Sequence, residues 1–216
     1  MTEEIHENNA LITSLLVAGI GLLGVILGVI TTNIITWKLK SKESRLRILE
    51  KIFDKRLVAH EEFLSIPKLM RTTISDQEAD ENNHFITYPY ILDSKDNFED
   101  FSYKFYEQTN FKSHWFEEDL RKEIFFAQDY FQNIAKELKE LPEENCQQFG
   151  KIVKPDFKAL ADSLEEKILN FLLIDIHKIN LNSKNRNFEY SRNEKKERLN
   201  KMELYTKWEE IQALKK

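Results

Sequence analysis

Glycine is almost missing from this sequence outside one stretch. Gly19, Gly21, Gly24 and Gly28 sit close together, and the only other glycine is Gly150. A chain with one glycine after residue 28 has no glycine-rich loop to cradle a phosphate. Accordingly no P-loop, GxGxxG or kinase signature occurs, and GxSxG is absent too. Tight hairpin turns also need glycine, commonly as Asn-Gly or Asp-Gly, and neither pair occurs. Cysteine is limited to Cys146. No intrachain disulfide and no cysteine-based metal cluster can form, which fits a reducing compartment. There is no internal repeat and no low-complexity run.

Charge is missing where it matters most. From Leu11 to Ile30 no residue is charged, and only Thr13 and Ser14 carry hydroxyls. Twenty residues at helical rise span roughly 30 Å, the thickness of a bilayer's hydrocarbon core. The run is mostly Leu, Ile and Val, which favours insertion by about 4 to 8 kcal/mol before glycine and hydroxyl costs. Thr31, Thr32, Asn33 and Thr36 lead out of it to Trp37, an interfacial aromatic, and Lys38. Residues 11–37 are therefore expected to form a transmembrane helix. Residues 1–10 hold Glu3, Glu4 and Glu7 and no Lys or Arg, whereas Lys38, Lys40, Lys42, Arg45 and Arg47 crowd the other flank. The positive-inside rule then puts a short N-terminal tail outside and the rest of the chain in the cytoplasm. A cleaved signal peptide would want a basic start and a shorter apolar run. Those five basic residues and Trp37 are expected to touch lipid headgroups.

Within the helix, Gly21, Gly24 and Gly28 follow one another at i, i+3 and i+7, and Ser14 and Ala18 extend the same small-residue face. Such a face lets two helix backbones pack closely, so self-association in the membrane is expected. Abundant Lys, Asn, Ile and Phe point to an AT-rich bacterial genome, hence a bacterial plasma membrane.

The remaining chain recurs in apolar residues at helical spacing, which predicts an all-α cytosolic helical bundle. A basic juxtamembrane stalk is expected over residues 38–66, with Leu46, Leu49, Phe53, Leu57, His60 and Leu64 on one face and Pro67 breaking the helix. Residues 67–94 read as an acidic loop from Thr72 to His84, then an edge strand or strap over Phe85–Leu92 with Pro89 in its centre. The bundle itself is expected over residues 95–216. It starts with a helix from Lys95 to about Thr109, N-capped by Asp93 or Ser94. A second helix runs from about Ser113 to Leu141, with the stripe Leu120, Ile124, Ala127, Phe131, Ile134, Leu138 and Leu141. A third spans about Asp156 to Leu181, with Pro155 suited to its first turn, along Phe157, Leu160, Leu164, Ile168 and Phe171, and is apolar nearly all round near Ile168–Ile176. The last runs from Arg192 to Lys215 behind Trp208.

Candidate chemistry is thin. His60-Glu61-Glu62 begins like a zinc-protease HExxH, but residue 64 is Leu. Glu81 and His84 make a single Glu-x-x-His, where di-iron bundles use two. Asp175 and His177 point to different helix faces. Cys146 follows Glu143 and Glu144, which disfavour a thiolate. No metal, cofactor or catalytic centre is expected. Residues 71–145 are strongly acidic, which argues against nucleic acid. Aromatics concentrate between Phe85 and Phe131, beyond what one stripe buries, and Tyr103, Tyr106 and Trp115 stand out as a possible ligand or partner surface. The expectation is a non-enzymatic, membrane-anchored interaction or sensing module that recruits a cytosolic protein or answers a small-molecule signal. The alternative is a membrane-disrupting effector or toxin, for instance in phage defence, triggered through its cytosolic domain.

Overall fold

The structure, a computed structural model, describes residues 2–79, 85–175 and 189–215; side chains are described from residue 15 onward, except at 76–79 and 174–175. The chain divides into two units, Met1–Ile52 and Phe53–Lys216. The first is made of helix α1, which spans Thr2–Phe63 and so ends inside the second unit. By length and composition this helix could cross a membrane.

Among its described residues the second unit is all-α apart from one two-stranded sheet. After α1 come α2 (Ser65–Arg71), β1 (Thr73–Ala79), β2 (Phe85–Pro89), α3 (Lys95–Lys112), α4 (Glu118–Glu140) and α5 (Cys146–Asn170). The short helices α6 (Arg192–Leu199), α7 (Glu203–Thr206) and α8 (Trp208–Ala213) follow. The core forms where the apolar stripes meet. Every member of the expected α4 stripe is buried, as are Phe157, Leu160, Leu164, Ile168 and Phe171 along the α5 segment and Phe98, Phe101 and Phe105 on α3. Phe131 is the hub: its ring lies 5.2 Å from Phe101, 5.1 Å from Phe105 and 5.7 Å from Phe157. Edge-on contacts between aromatic rings add about 0.5–1.5 kcal/mol each beyond area burial.

α3 starts as its cap dictates. Ser94 Oγ accepts the Asn97 N–H at 3.1 Å. α5 lies at the centre, packed by α2, α4, α7 and β2. Gly150 makes one of these approaches possible. A Cβ there would meet Leu92 Cβ at 3.2 Å and Tyr88 Cβ at 3.4 Å.

Several boundaries differ from expectation, each for a local reason. The helix break comes at Leu64, before Pro67; the proline sits in the first turn of α2, where a missing N–H costs nothing. The expected acidic loop is partly a strand: Thr73–Ala79 pairs antiparallel with β2, with an irregularity between Ser75 and Ala79. Pro89 closes β2, opposite Thr73, and does not interrupt it. The expected 113–141 helix splits into a 3-10 turn, Ser113–Trp115, and α4, with Phe116 extended and buried between them. α5 begins at Cys146, so Pro155 lies inside it and does not open it. After Asn170 the chain winds into a π-helical turn, Phe171–Asp175. This apolar stretch is not enclosed on every side, since Leu173 is 78% exposed. The single last helix is three short ones, broken at Asn200–Met202 and Lys207. Leu204 and Ile211 are buried, but Trp208 is 42% exposed, with Lys215 Nζ 5.9 Å from its ring centroid. Leu46, expected on a buried face, is exposed.

Candidate functional site

Within the first unit the apolar side chains of α1 stand uncovered. Leu15, Leu16, Val17, Ile20, Leu22 and Leu23 are all exposed, and so are the apolar residues that follow as far as Leu39. Around Gly21, Gly24 and Gly28 nothing lies within 4 Å of where a Cβ would stand. Ala18 is exposed on the same helix, and the side chain of Ser14 lies outside the described residues. The threonines below the glycines satisfy their hydroxyls locally. Thr32 donates to Gly28 O at 2.7 Å, and Thr31 donates to Leu27 O. Back-bonding of this kind removes most of the cost of placing a hydroxyl in hydrocarbon. Trp37, Lys38, Lys40, Lys42, Arg45 and Arg47 are exposed, and Arg47 pairs with Glu43 at 2.7 Å.

The aromatic residues singled out from the sequence are not gathered into one site. Tyr103 is 72% exposed on the outer face of α3. Tyr106 lies half-buried, edge-on to Phe105. Trp115, in the turn before α4, lies with its ring tilted against His114 at 4.6 Å and carries Lys55 Nζ 5.4 Å from its ring centroid. It lines a shallow cleft of about 360 Å³ with Asp54, Val58, Glu62 and Lys112. Glu62 and Lys112 pair with each other there.

A larger groove, about 570 Å³, lies between α3 and α4. Lys95, Phe98 and Ser102 contribute from α3, and Lys136, Leu138 and Lys139 from α4. It was not foreseen from the sequence. Nothing along the sequence links these lysines, and only the antiparallel pairing of the two helices sets them around one opening. No family model, curated protein or solved structure matches this chain.

The titratable groups that are buried serve the fold. His60 is wholly buried at the end of α1. Its Nδ1 lies 2.7 Å from Arg56 O, its ring stacks on Phe171 at 3.8 Å, and its Nε2 has no partner. Burial, together with the nearby Arg56 charge, lowers its pKa from 6.5 to about 4 against the opposing backbone bond. Cys146 is buried, and burial followed by Glu143 pushes its thiol pKa up, the wrong direction for a nucleophile. Among the described residues no three His, Cys, Asp or Glu side chains gather as a metal site. His84, His177 and Glu81, and the side chains of His6 and Asp175, lie outside the described residues.

Three buried carboxylates tie the C-terminal segment down. Glu123 receives a two-pronged hydrogen bond from Arg198, at 2.9 and 2.8 Å, and the Tyr190 hydroxyl. Burial would raise its pKa, but these partners and Ser163 outweigh it and hold it low. Asp156 accepts Tyr130 Oη at 2.7 Å and the Glu203 and Leu204 N–H groups at 2.7 and 3.0 Å, so it caps α7. Burial raises its pKa, and these three donors offset that only in part. Glu137 accepts from Lys215 at 2.8 Å and Gln212 at 3.2 Å.

Proposed function

We propose that this chain is a single-pass protein of a bacterial plasma membrane. Its N-terminus faces out, and its Phe53–Lys216 unit acts in the cytoplasm as a non-enzymatic interaction or sensing module. The observation that carries this is the uncovered, charge-free apolar surface of α1 from Leu15 to Ile30. Water is a poor solvent for such a surface, and lipid is a good one. Orientation rests on the basic residues from Lys38 to Arg47 against the acidic, lysine-free first ten residues. Self-association rests on the open faces of Gly21, Gly24 and Gly28.

The reading predicts that the full chain stays with membranes in alkaline carbonate. In a Cys146→Ser background, a cysteine at Ser41 should be shielded from a membrane-impermeant maleimide in intact cells, and one at Glu4 should be labelled. Extraction by carbonate, or the reverse labelling pattern, refutes the reading. Gly24→Leu with Gly28→Leu should abolish the signal in a membrane dimerisation reporter. The same open glycine face also suits an effector whose helices cluster and breach the bilayer. Loss of membrane potential on overexpression, reversed by the same two leucines, would favour that role over recruitment.

A further inference from the structure

We propose that the groove between α3 and α4 binds a small soluble organic acid, a carboxylate carried on an apolar body. Its floor is apolar, since Phe98 and Leu138 are both almost wholly buried beneath it. Its volume of about 570 Å³ lies within the 300–1,000 Å³ of ordinary small-molecule pockets. Its charged groups are three lysines against one glutamate. Lys95, Lys136 and Lys139 stand at the rim, and none forms a side-chain ion pair among the described residues. Two nearby carboxylates have partners of their own. Glu140, one turn beyond Lys136, is held by Lys215 at 2.6 Å. Glu143 accepts the backbone N–H of Lys95 at 3.0 Å. Glu99 is the single carboxylate of the lining.

Ser102 gives the second, independent sign. Its Oγ is buried beside this opening and has no hydrogen-bond partner. Buried hydroxyls are rarely left so, because an unmade hydrogen bond is a net loss on leaving water. An oxygen acceptor seated in the groove satisfies it once the side chain turns toward the opening. The occupant is small: eight residues line the groove, whereas a stable protein interface takes about 20–30 residues a side. The three ammonium groups select an anionic head, and the Phe98–Leu138 floor selects an aryl or alkyl body over a bare inorganic ion. The inference does not rest on the membrane reading, and the failure of either leaves the other standing.

The test uses the full chain in phosphatidylcholine nanodiscs, with 2-naphthoate as probe and equilibrium dialysis corrected with empty discs. One saturable site per chain is expected. Ala135→Trp, which fills the opening, should abolish it. Lys136→Glu with Lys139→Glu, both at exposed positions, should weaken it about tenfold or more, and Ser102→Ala about fivefold. Neutral 2-naphthylmethanol should bind about tenfold more weakly than the acid. No saturable binding to the wild-type chain overturns the proposal. So does equal binding of the alcohol, or unchanged binding by the doubly charge-reversed variant with its circular dichroism intact.

Discussion

Acid should loosen the second unit through His60. The imidazole is wholly buried, with Phe171 stacked at 3.8 Å on one side and Phe116 edge-on at 5.3 Å. Arg56, the charged group nearest it, is paired with Glu117 and lies over the Phe171 ring. Nothing there welcomes a second positive charge, and the pKa falls to about 4. In the unfolded chain the same group titrates near 6.5. Between these two values the unfolded chain binds a proton that the folded chain refuses. Stability is therefore complete above about pH 6.5 and declines as the pH falls toward 4. From pH 7 to pH 4.5 the loss assigned to His60 is about 2 kcal/mol. Glu123, with its lowered pKa, is lost in the same direction, and Asp156, with its raised pKa, acts in the opposite one. A variant isolates the histidine. His60→Leu keeps the volume and removes the titration, so its stability at pH 7 should change by about 1 kcal/mol or less. Urea unfolding of the full chain in nanodiscs, followed by far-UV circular dichroism at the two pH values, gives the difference. The wild-type chain should lose about 2 kcal/mol more than the variant over this interval. Equal losses, or a folded-state NMR titration of His60 near 6.5, would refute the reasoning.

Three further outcomes follow from the packing. Glu123→Ala leaves the Arg198 guanidinium and the Tyr190 hydroxyl without their acceptor; because Arg198 keeps some solvent, the loss should be about 2–3 kcal/mol, with faster hydrogen exchange across α6. Phe131→Ala empties the hub of the aromatic cluster and should destabilise by about 3–5 kcal/mol in denaturant unfolding. Gly150→Val places branched carbons against Leu92 and Tyr88, and a loss of about 1–3 kcal/mol is expected by the same measurement.

Much of this architecture is legible in the residues themselves, because periodicity reports which face of a helix meets other protein. The α4 stripe from Leu120 to Leu141 is buried throughout, and Ser94 caps α3 where its side chain reaches the exposed N–H groups. The charge-free run from Leu11 to Ile30 likewise needs only composition to be recognised. Segment ends depend on packing from outside the segment. Pro67 and Pro155 mark positions without an N–H donor, yet each is compatible with a helix running through it, and only the packing around α2 and α5 shows that it does. Thr73–Ala79 is polar and looks like a loop. It becomes a strand because β2 offers it a hydrogen-bonding edge, a partner supplied from beyond the segment.

The sequence by itself determined the helical class, the long apolar N-terminal helix, the small-residue face on it and the absence of familiar catalytic loops. Each follows from local composition or from spacing along one chain segment. Tertiary structure alone decided which charges are buried and which lysines surround a common opening. Glu123 meets Arg198, Asp156 caps a helix 47 residues further on, and Lys95 comes to share a rim with Lys136 and Lys139. Those encounters depend on how helices stack, and the energy of a charge depends on the neighbours and the solvent that stacking leaves it.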